Sequence, residues 1–346
     1  MKAIILVGGE GTRLRPLTYS IVKSMVPVLN RPFMEHVIRK LAKHGIKEAV
    51  LAMGYKPDSI YEYFQNVTGL DIKLTYSLEK KPLGTAGAVK HAAQHVEDTF
   101  FVLNGDTFSD IDYTEMLHLH RRNKARATIA LTHVEDPTIF GVVETDRSGR
   151  VKAFIEKPAR DKVTSHWINA GIYILEPEVL DYIPENEFYM FERGVFPCML
   201  ASGERVYAYK SKAYWIDMGT PAKYHQLNRD LLQGKCSTAI QIPGAISIGD
   251  GSKIHPGARL TAPVMIDRDC IIDEEVELRG PVVIGTGCHI HRKAVVDNSI
   301  LWENITAGAE AVIFNSVIAS GAKIKEKALL HGETINHVAP DAPGKK

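Results

Sequence analysis

The 346-residue sequence predicts an α/β chain in two parts, a mostly parallel, Rossmann-like sheet domain followed by a parallel β-helix. Three observations predict this. From Met1 to about Gln233, short apolar runs alternate with helical patterns. The first run leads straight into a loop rich in glycine and arginine. Beyond Gln233 the aliphatic residues fall instead on a six-residue grid. Alternating strands and helices imply a parallel sheet covered by helices, with ligands at the carboxyl ends of its strands. The expected domains are 1–233 and 241–335, joined by a linker over 236–244 and followed by a disordered tail over 336–346.

The first strand is the apolar run Ala3 to Val7, of the kind buried on both faces. Gly8, Gly9 and Gly11 follow, then Thr12, Arg13 and Arg15. Glycines let the backbone approach a ligand closely, and N–H groups in such a turn form a concavity that attracts anions. Arginines add forked, permanently charged donors suited to phosphate. The turn therefore reads as a nucleotide-binding loop. It is not a P-loop, because no Gly-Lys-Ser/Thr follows at the required spacing. Nor is it the dinucleotide fingerprint, which needs a small residue where Leu14 stands.

Further strands are expected over 49–53, 72–76, 100–103 and 128–131. Met34, Val37, Ile38 and Leu41 recur on one helical face, as do Ala86, Val89 and Ala93 in a helix expected to end near His95. The strands over 141–144, 151–155 and 168–175 lie closer together and suggest an added antiparallel portion. A helix over 221–232 starts with proline in its first turn, as helix starts favour.

The grid begins at Ile242 and meets an aliphatic residue at every sixth position through Val296. It then slips by four residues, restarts at Ile300, passes through Thr306 and continues at Val312, Ile318, Ile324 and Leu330. Each coil of such a solenoid buries its inward aliphatics against the next.

With 45% hydrophobic and 24% charged residues, the composition is that of a soluble globular protein. A net charge of +1 argues against a nucleic-acid surface or a membrane-binding face, so phosphate binding must rest on a few placed cations. The four cysteines show no paired metal-ligand spacing, and no signal peptide or membrane-spanning stretch is evident. A cytoplasmic location is expected.

Gly9-x-Gly11-Thr12-Arg13, Thr18, Lys23 and Pro27 together resemble the start of the sugar-1-phosphate nucleotidyltransferases, or NDP-sugar pyrophosphorylases. Members often carry a left-handed hexapeptide β-helix at the carboxyl end, which implies that hand and about five coils here. The resemblance implies that Gly8, Gly9, Gly11, Thr12 and Arg13 cradle the triphosphate and that Lys23 holds its phosphates. The family usually has proline before this lysine, and the chain has Val22.

In the reaction so implied, a phosphate oxygen of the sugar 1-phosphate attacks the α-phosphorus and expels pyrophosphate. That nucleophile is already an anion near neutral pH, so the protein must align and neutralise two like-charged molecules. Asp106, after the strand over 100–103, and Asp217, before the helix at Pro221, resemble the family's two metal aspartates and imply Mg²⁺. Leu83-Gly84-Thr85-Ala86-Gly87 resembles the base-recognition segment, placing Gly84, Thr85 and Gly87 near base and ribose. Gly141, the Glu156-Lys157 pair and Asn169 resemble the sugar-phosphate side. Short thymidylyltransferases have a glutamine-containing segment in place of Gly84-Thr85-Ala86-Gly87. That difference tilts the expected substrates to GTP and mannose 1-phosphate, ahead of glucose 1-phosphate with UTP, dTTP or ATP. Two other classes remain open: an added acetyltransfer activity using His255, His289 or His291, and a non-catalytic regulatory subunit. The β-helix is expected to assemble a homo-oligomer.

Overall fold

The computed structural model describes residues 1–54, 57–94, 96–240 and 244–336. Ile242, the expected helix end at His95, linker residues 241–243 and the tail from 337 onward lie outside the described residues. The chain forms two compact units, one of Met1–Gly9 with Val37–Ile216, the other of Glu10–His36 with Asp217 onward.

The first unit holds β1 (Lys2–Leu6), β2 (Glu48–Met53), β3 (Lys73–Leu78), β4 (Phe100–Asn104), β5 (Thr107–Ser109), β6 (Ala127–His133), β7 (Gly141–Thr145), β8 (Val151–Glu156), β9 (Trp167–Leu175), β10 (Val206–Ser211) and the start of β11 (Trp215–Asp217). Nine of these make one mixed sheet in the order β8-β7-β9-β4-β1-β2-β3, with β6 paired to β9 and β10 to β6. β4, β1, β2 and β3 are mutually parallel. β9 runs antiparallel to β4, β6 and β7, which supplies the antiparallel portion that the close strand spacing implied. β5 and β11 form a separate two-stranded ribbon.

Six α-helices are described: α1 (Phe33–Lys43), α2 (Asp58–Asn66), α3 (Gly84–Ala92), α4 (Tyr113–Arg122), α5 (Phe196–Ala201) and α6 (Pro221–Leu232). Met34, Val37, Ile38 and Leu41 are all buried on α1, as their spacing requires. α2, α4 and β10 were not among the expected elements. For α4 the signal was present: the Asp112 carboxylate caps it by accepting from Thr114 N at 2.8 Å and Glu115 N at 3.0 Å. The core of this unit packs Phe100, Val102, Ile129, Leu131, Tyr173 and Leu175 against Phe191 and Phe196. Each such side chain contributes about 1.5–3 kcal/mol through burial.

In the second unit, three stacked parallel sheets of six, five and five short strands are consistent with a left-handed parallel β-helix. One inward column runs Ile248, Ile266, Ile284, Leu301, Ile318, Ile335. The coil from Ile266 to Ile284 is therefore 18 residues long, and that from Ile284 to Leu301 is 17. This corrects the sequence-based grid. The inward positions after the slip are Leu301, Ala307 and Ile313, all fully buried, not Ile300, Thr306 and Val312.

The physical reason lies in one corner. Arg279 aligns with Asp297 and Val283 with Ile300, so Gly280-Pro281-Val282 is matched by Asn298-Ser299 alone. Asn298 and Asn315 take left-handed φ values of 42° and 51°, which asparagine tolerates. The Ser299 hydroxyl donates to Asp297 O at 2.7 Å and accepts from Ser316 N at 3.0 Å, closing the tighter turn.

Segment 10–36 packs within this second unit. Asn228 Oδ1 accepts from Leu29 N at 2.9 Å, and Tyr224 donates to Pro27 O at 2.5 Å while accepting from Trp302 Nε1 at 2.9 Å. Asn30 donates to Ile284 O at 2.9 Å, and His225 Nε2 lies 2.7 Å from Asn298 O.

Candidate active site

In the second unit, the loop after β1 turns at Gly11, whose φ of 66° is left-handed. A Cβ at Gly11 would stand 2.9 Å from Lys23 Cβ and 3.1 Å from Thr18 Cγ2, so glycine is required there. Thr18 locks the turn by donating its hydroxyl to Gly11 O at 2.8 Å. Thr12 and Arg13 then enter a short 3₁₀ turn (Thr12–Leu14). Arg13 Nη2 lies 3.6 Å from Asp217 Oδ2, and Lys23 Nζ lies 3.7 Å from Asp217 Oδ1. Arg13, Lys23 and Asp217 are thus brought together, though Asp217 lies 204 and 194 residues after the two cations in the chain. The Lys23 side chain is 10% exposed, that of Arg13 66% and that of Asp217 23%, so the cluster grades from buried ammonium to solvated guanidinium.

Val22, in the place of the usual proline, has φ −69°. That is the value a proline ring would impose, so the departure leaves the approach to Lys23 unchanged. Behind Asp217, a Cβ on Gly219 would sit 3.1 Å from both carboxylate oxygens and 3.2 Å from Arg13 Cζ. Glycine there keeps space open around the carboxylate. Thr220 caps α6, accepting from Lys223 N at 3.3 Å, and this anchors the residues just after Asp217.

In the first unit, β1 and β4 are adjacent and parallel, with Leu6 opposite Asn104. Gly105 N donates to Leu6 O at 2.9 Å. Gly8 and Asp106, each two residues beyond that pair, therefore lie at the same carboxyl edge of the sheet. Neither Gly8 nor Gly9 is sterically required: a Cβ on Gly8 would come no closer than 3.6 Å to Glu79, and one on Gly9 would meet nothing.

The start of α3 is packed against the segment around Tyr189. The amides of Ala86 and Gly87 both donate to Tyr189 O, at 3.0 and 3.2 Å. Gly84 and Gly87 are needed because a Cβ on either would fall 2.5 Å from a backbone oxygen, of Tyr189 or Glu187 respectively. The Thr85 hydroxyl donates to Glu192 Oε2 at 3.0 Å and accepts from Phe191 N at 3.1 Å. The Asn169 amide is equally engaged, donating to Tyr173 at 2.7 Å and accepting from Gly171 N at 2.9 Å. Tyr173 in turn donates toward Glu192 Oε1 at 3.5 Å. A buried polar chain, Thr85–Glu192–Tyr173–Asn169, thus joins two segments that the sequence had assigned to base and sugar.

Sequence reasoning missed Glu192 and Tyr173. Glu192 stands on a π-helical turn (Phe191–Val195), a local form that leaves no periodic trace. Burial raises its pKa above the usual carboxylate range, against hydrogen bonds from its own amide and from Thr85. Burial also holds the Tyr173 hydroxyl protonated. On the remaining side, a Cβ on Gly141 would meet the Phe154 ring at 2.8 Å and Glu156 Oε2 at 3.0 Å. Lys157 takes a left-handed φ of 48° and sets its Nζ 3.7 Å from Glu156 Oε1.

Fold and site together define a nucleotide-handling α/β domain that carries a hexapeptide-type β-helix. The chain belongs to the nucleotidyl transferase family, whose profile matches residues 2–234, and a GMPPB C-terminal domain profile matches residues 260–338. A mannose-1-phosphate guanylyltransferase of Mycobacterium tuberculosis is 39% identical over 299 residues, 84% of this chain and 83% of that protein. A UTP–glucose-1-phosphate uridylyltransferase of Synechocystis is 36% identical over 341 residues, 92% of this chain and 87% of that protein. The crystal structure of HddC from Yersinia pseudotuberculosis complexed with GMP-PN superposes with a TM-score of 0.57 at 29% identity, covering 66% of this chain and 97% of that one. Among the described residues, no helix is long and apolar enough to cross a membrane.

Proposed function

We propose that the protein transfers a guanylyl group from GTP to mannose 1-phosphate, releasing pyrophosphate and GDP-mannose, with Mg²⁺ held by Asp106 and Asp217. The carrying observation is the convergence of Arg13 and Lys23 on Asp217, within 3.6 and 3.7 Å, beside a turn that only glycine can make. Cations held near a carboxylate suit a site that receives polyphosphate and a hard divalent ion together. Both cations stand beyond direct hydrogen-bond distance, and Gly219 keeps a Cβ away from the Asp217 oxygens, so the donor set fits an oxygen-ligated ion. Asp106 stands just past β4, at the carboxyl edge of the first unit's sheet. When bound, Mg²⁺ would offset the charge that develops on the leaving pyrophosphate.

Gly8, Gly9, Gly11 and Thr12 offer the triphosphate backbone donors, while Arg13 and Lys23 neutralise it. Gly84, Thr85 and Gly87 shape the base-side wall through the chain that Glu192 ties together. Glu156 accepts from sugar hydroxyls, Lys157 binds the sugar phosphate, and Gly141 and Asn169 fix the sugar-side wall. The choice of substrates draws support from relatives named for mannose 1-phosphate and from a structural neighbour solved with a guanine nucleotide analogue. The uridylyltransferase relative favours UTP with glucose 1-phosphate as the second reading. The proline-like φ of Val22, −69°, supports the catalytic reading over a non-catalytic subunit. We further propose that the β-helix joins copies of the chain and that the protein is cytoplasmic, in keeping with four free thiols. The deciding experiment scores pyrophosphate release across a matrix of nucleoside triphosphates and sugar 1-phosphates. GTP with mannose 1-phosphate should give the highest kcat/KM; a larger value for any other pair overturns the assignment.

A further inference from the structure

The coils gather a second set of chemically capable side chains, Asp273, His289 and His291, apart from every residue assigned to the proposed nucleotidyl transfer. His289 and His291 flank the fully buried Ile290, so strand alternation turns both imidazoles to the outer face. Ile272 pairs with Ile290 in register, and Asp273 N donates to Ile290 O at 3.0 Å, which sets Asp273 one coil away and beside them. Its Oδ2 lies 3.1 Å from His289 Nε2 and 3.3 Å from His291 Nδ1, and the two ring centroids are 3.9 Å apart. All three ligand atoms fall within 4.8 Å of one another.

A tetrahedral ion with bonds of about 2.0–2.1 Å holds its ligands about 3.3 Å apart, close to the 3.1 and 3.3 Å between the Asp273 carboxylate and the two imidazole nitrogens. Two imidazoles and one carboxylate suit zinc-class ions, whereas magnesium takes oxygen donors. The three side chains are 35%, 37% and 32% exposed, so an ion can enter from solvent. Ile290 pairs with Ala307 in the next coil, so the position level with His291 there is Gly308, which has no side chain to cover the site. Two successive coils would be clipped together, leaving one coordination position open.

We propose that Asp273, His289 and His291 form a zinc-class divalent-cation site on the outer face of the β-helix. The test uses the full chain, freed of any affinity tag, with excess Mg²⁺ present so that the polyphosphate site does not compete. Zn²⁺ titrated calorimetrically should bind one ion per chain, and Co²⁺ should give the visible absorption of a four-coordinate nitrogen–oxygen site. His289→Ala and His291→Ala should each weaken Zn²⁺ at least about tenfold and abolish the zinc-dependent rise in Tm. Both should retain parental pyrophosphate release, which reports correct folding. Unchanged Zn²⁺ affinity in both variants, or no saturable binding by the parent, would overturn the proposal and leave the trio as an ion pair with a neighbouring imidazole. Should an alanine variant fold poorly, His289→Gln and the Co²⁺ spectrum of the parent alone still decide it.

Discussion

Replacing Asp217 by asparagine separates the two roles proposed for its carboxylate. At 3.7 Å, opposite unit charges attract by about 4 kcal/mol at an effective dielectric near 20. Lys23 is nearly buried, but solvent reaches Asp217 and freely bathes Arg13, which reduces the net interaction to about 1–2 kcal/mol. In Asp217→Asn that attraction is released to an incoming anion, and a negative charge that repels the triphosphate is gone. Metal-free GTP should therefore bind about 5–30-fold tighter than to the parent, since about 1.4 kcal/mol is tenfold. Turnover should move the other way, with kcat falling about 10²–10³-fold as a proposed ligand of the ion that would offset transition-state charge is lost. Fluorescent GTP titrated in EDTA reads the first effect, and pyrophosphate release in Mg²⁺ reads the second. Weaker metal-free binding by the variant, or parental turnover, would refute the argument that this carboxylate holds cations for a polyphosphate and a metal at once.

Gly11→Ala should cost about 1–3 kcal/mol of stability for its left-handed φ, seen as a lower Tm. By pushing Lys23 aside it should also lower kcat/KM about tenfold or more. Gly9→Ala, where a methyl meets nothing, should leave both near parental values. Glu192 has a folded pKa raised by burial, so its contribution to stability is present below the ordinary glutamate value and is lost as pH rises through the folded value. Glu192→Gln should then flatten the decline of Tm with rising pH, measured by calorimetry from acid to neutral pH; an unchanged slope would place the dependence elsewhere. In the coils, Ile313→Ala should cost about 2–5 kcal/mol in denaturant unfolding. Val312→Ala, on the outward side, should cost under about 1 kcal/mol, and the reverse order would restore the sequence-based grid.

The parts of the molecule that were legible share one property: periodicity or adjacency in sequence. The apolar face of α1, the buried strand β4 and the first inward coil positions follow from spacing alone. The glycine loop and its arginine stand together in the chain, so they could be read together. What escaped depends on partners distant in sequence or on single-residue changes in backbone. The corner at Asn298-Ser299 drops one residue, and with Ile300 and Leu301 both aliphatic just after it a fixed-step grid cannot tell which of the two turns inward. Glu192 reads as a surface acid by composition, and only its link to Thr85, 107 residues earlier, makes it interior. At Gly87 glycine is also required by the packing, through the Glu187 carbonyl, a contact 100 residues away that no local motif displays.

The segment Glu10–His36 belongs to the same compact body as α6 and the coils. Its ties are Leu29 to Asn228, Tyr224 to both Pro27 and Trp302, and Asn30 to Ile284. A shortened protein ending after the catalytic-looking half would keep every residue of the proposed reaction centre and lose the scaffolding that holds several of them. Variants within the coils, Trp302 foremost, are thereby able to reveal themselves as kinetic defects. The solenoid functions as part of the catalyst's frame, and an evolutionary exchange of that module would have to preserve the hydrogen bonds at its root.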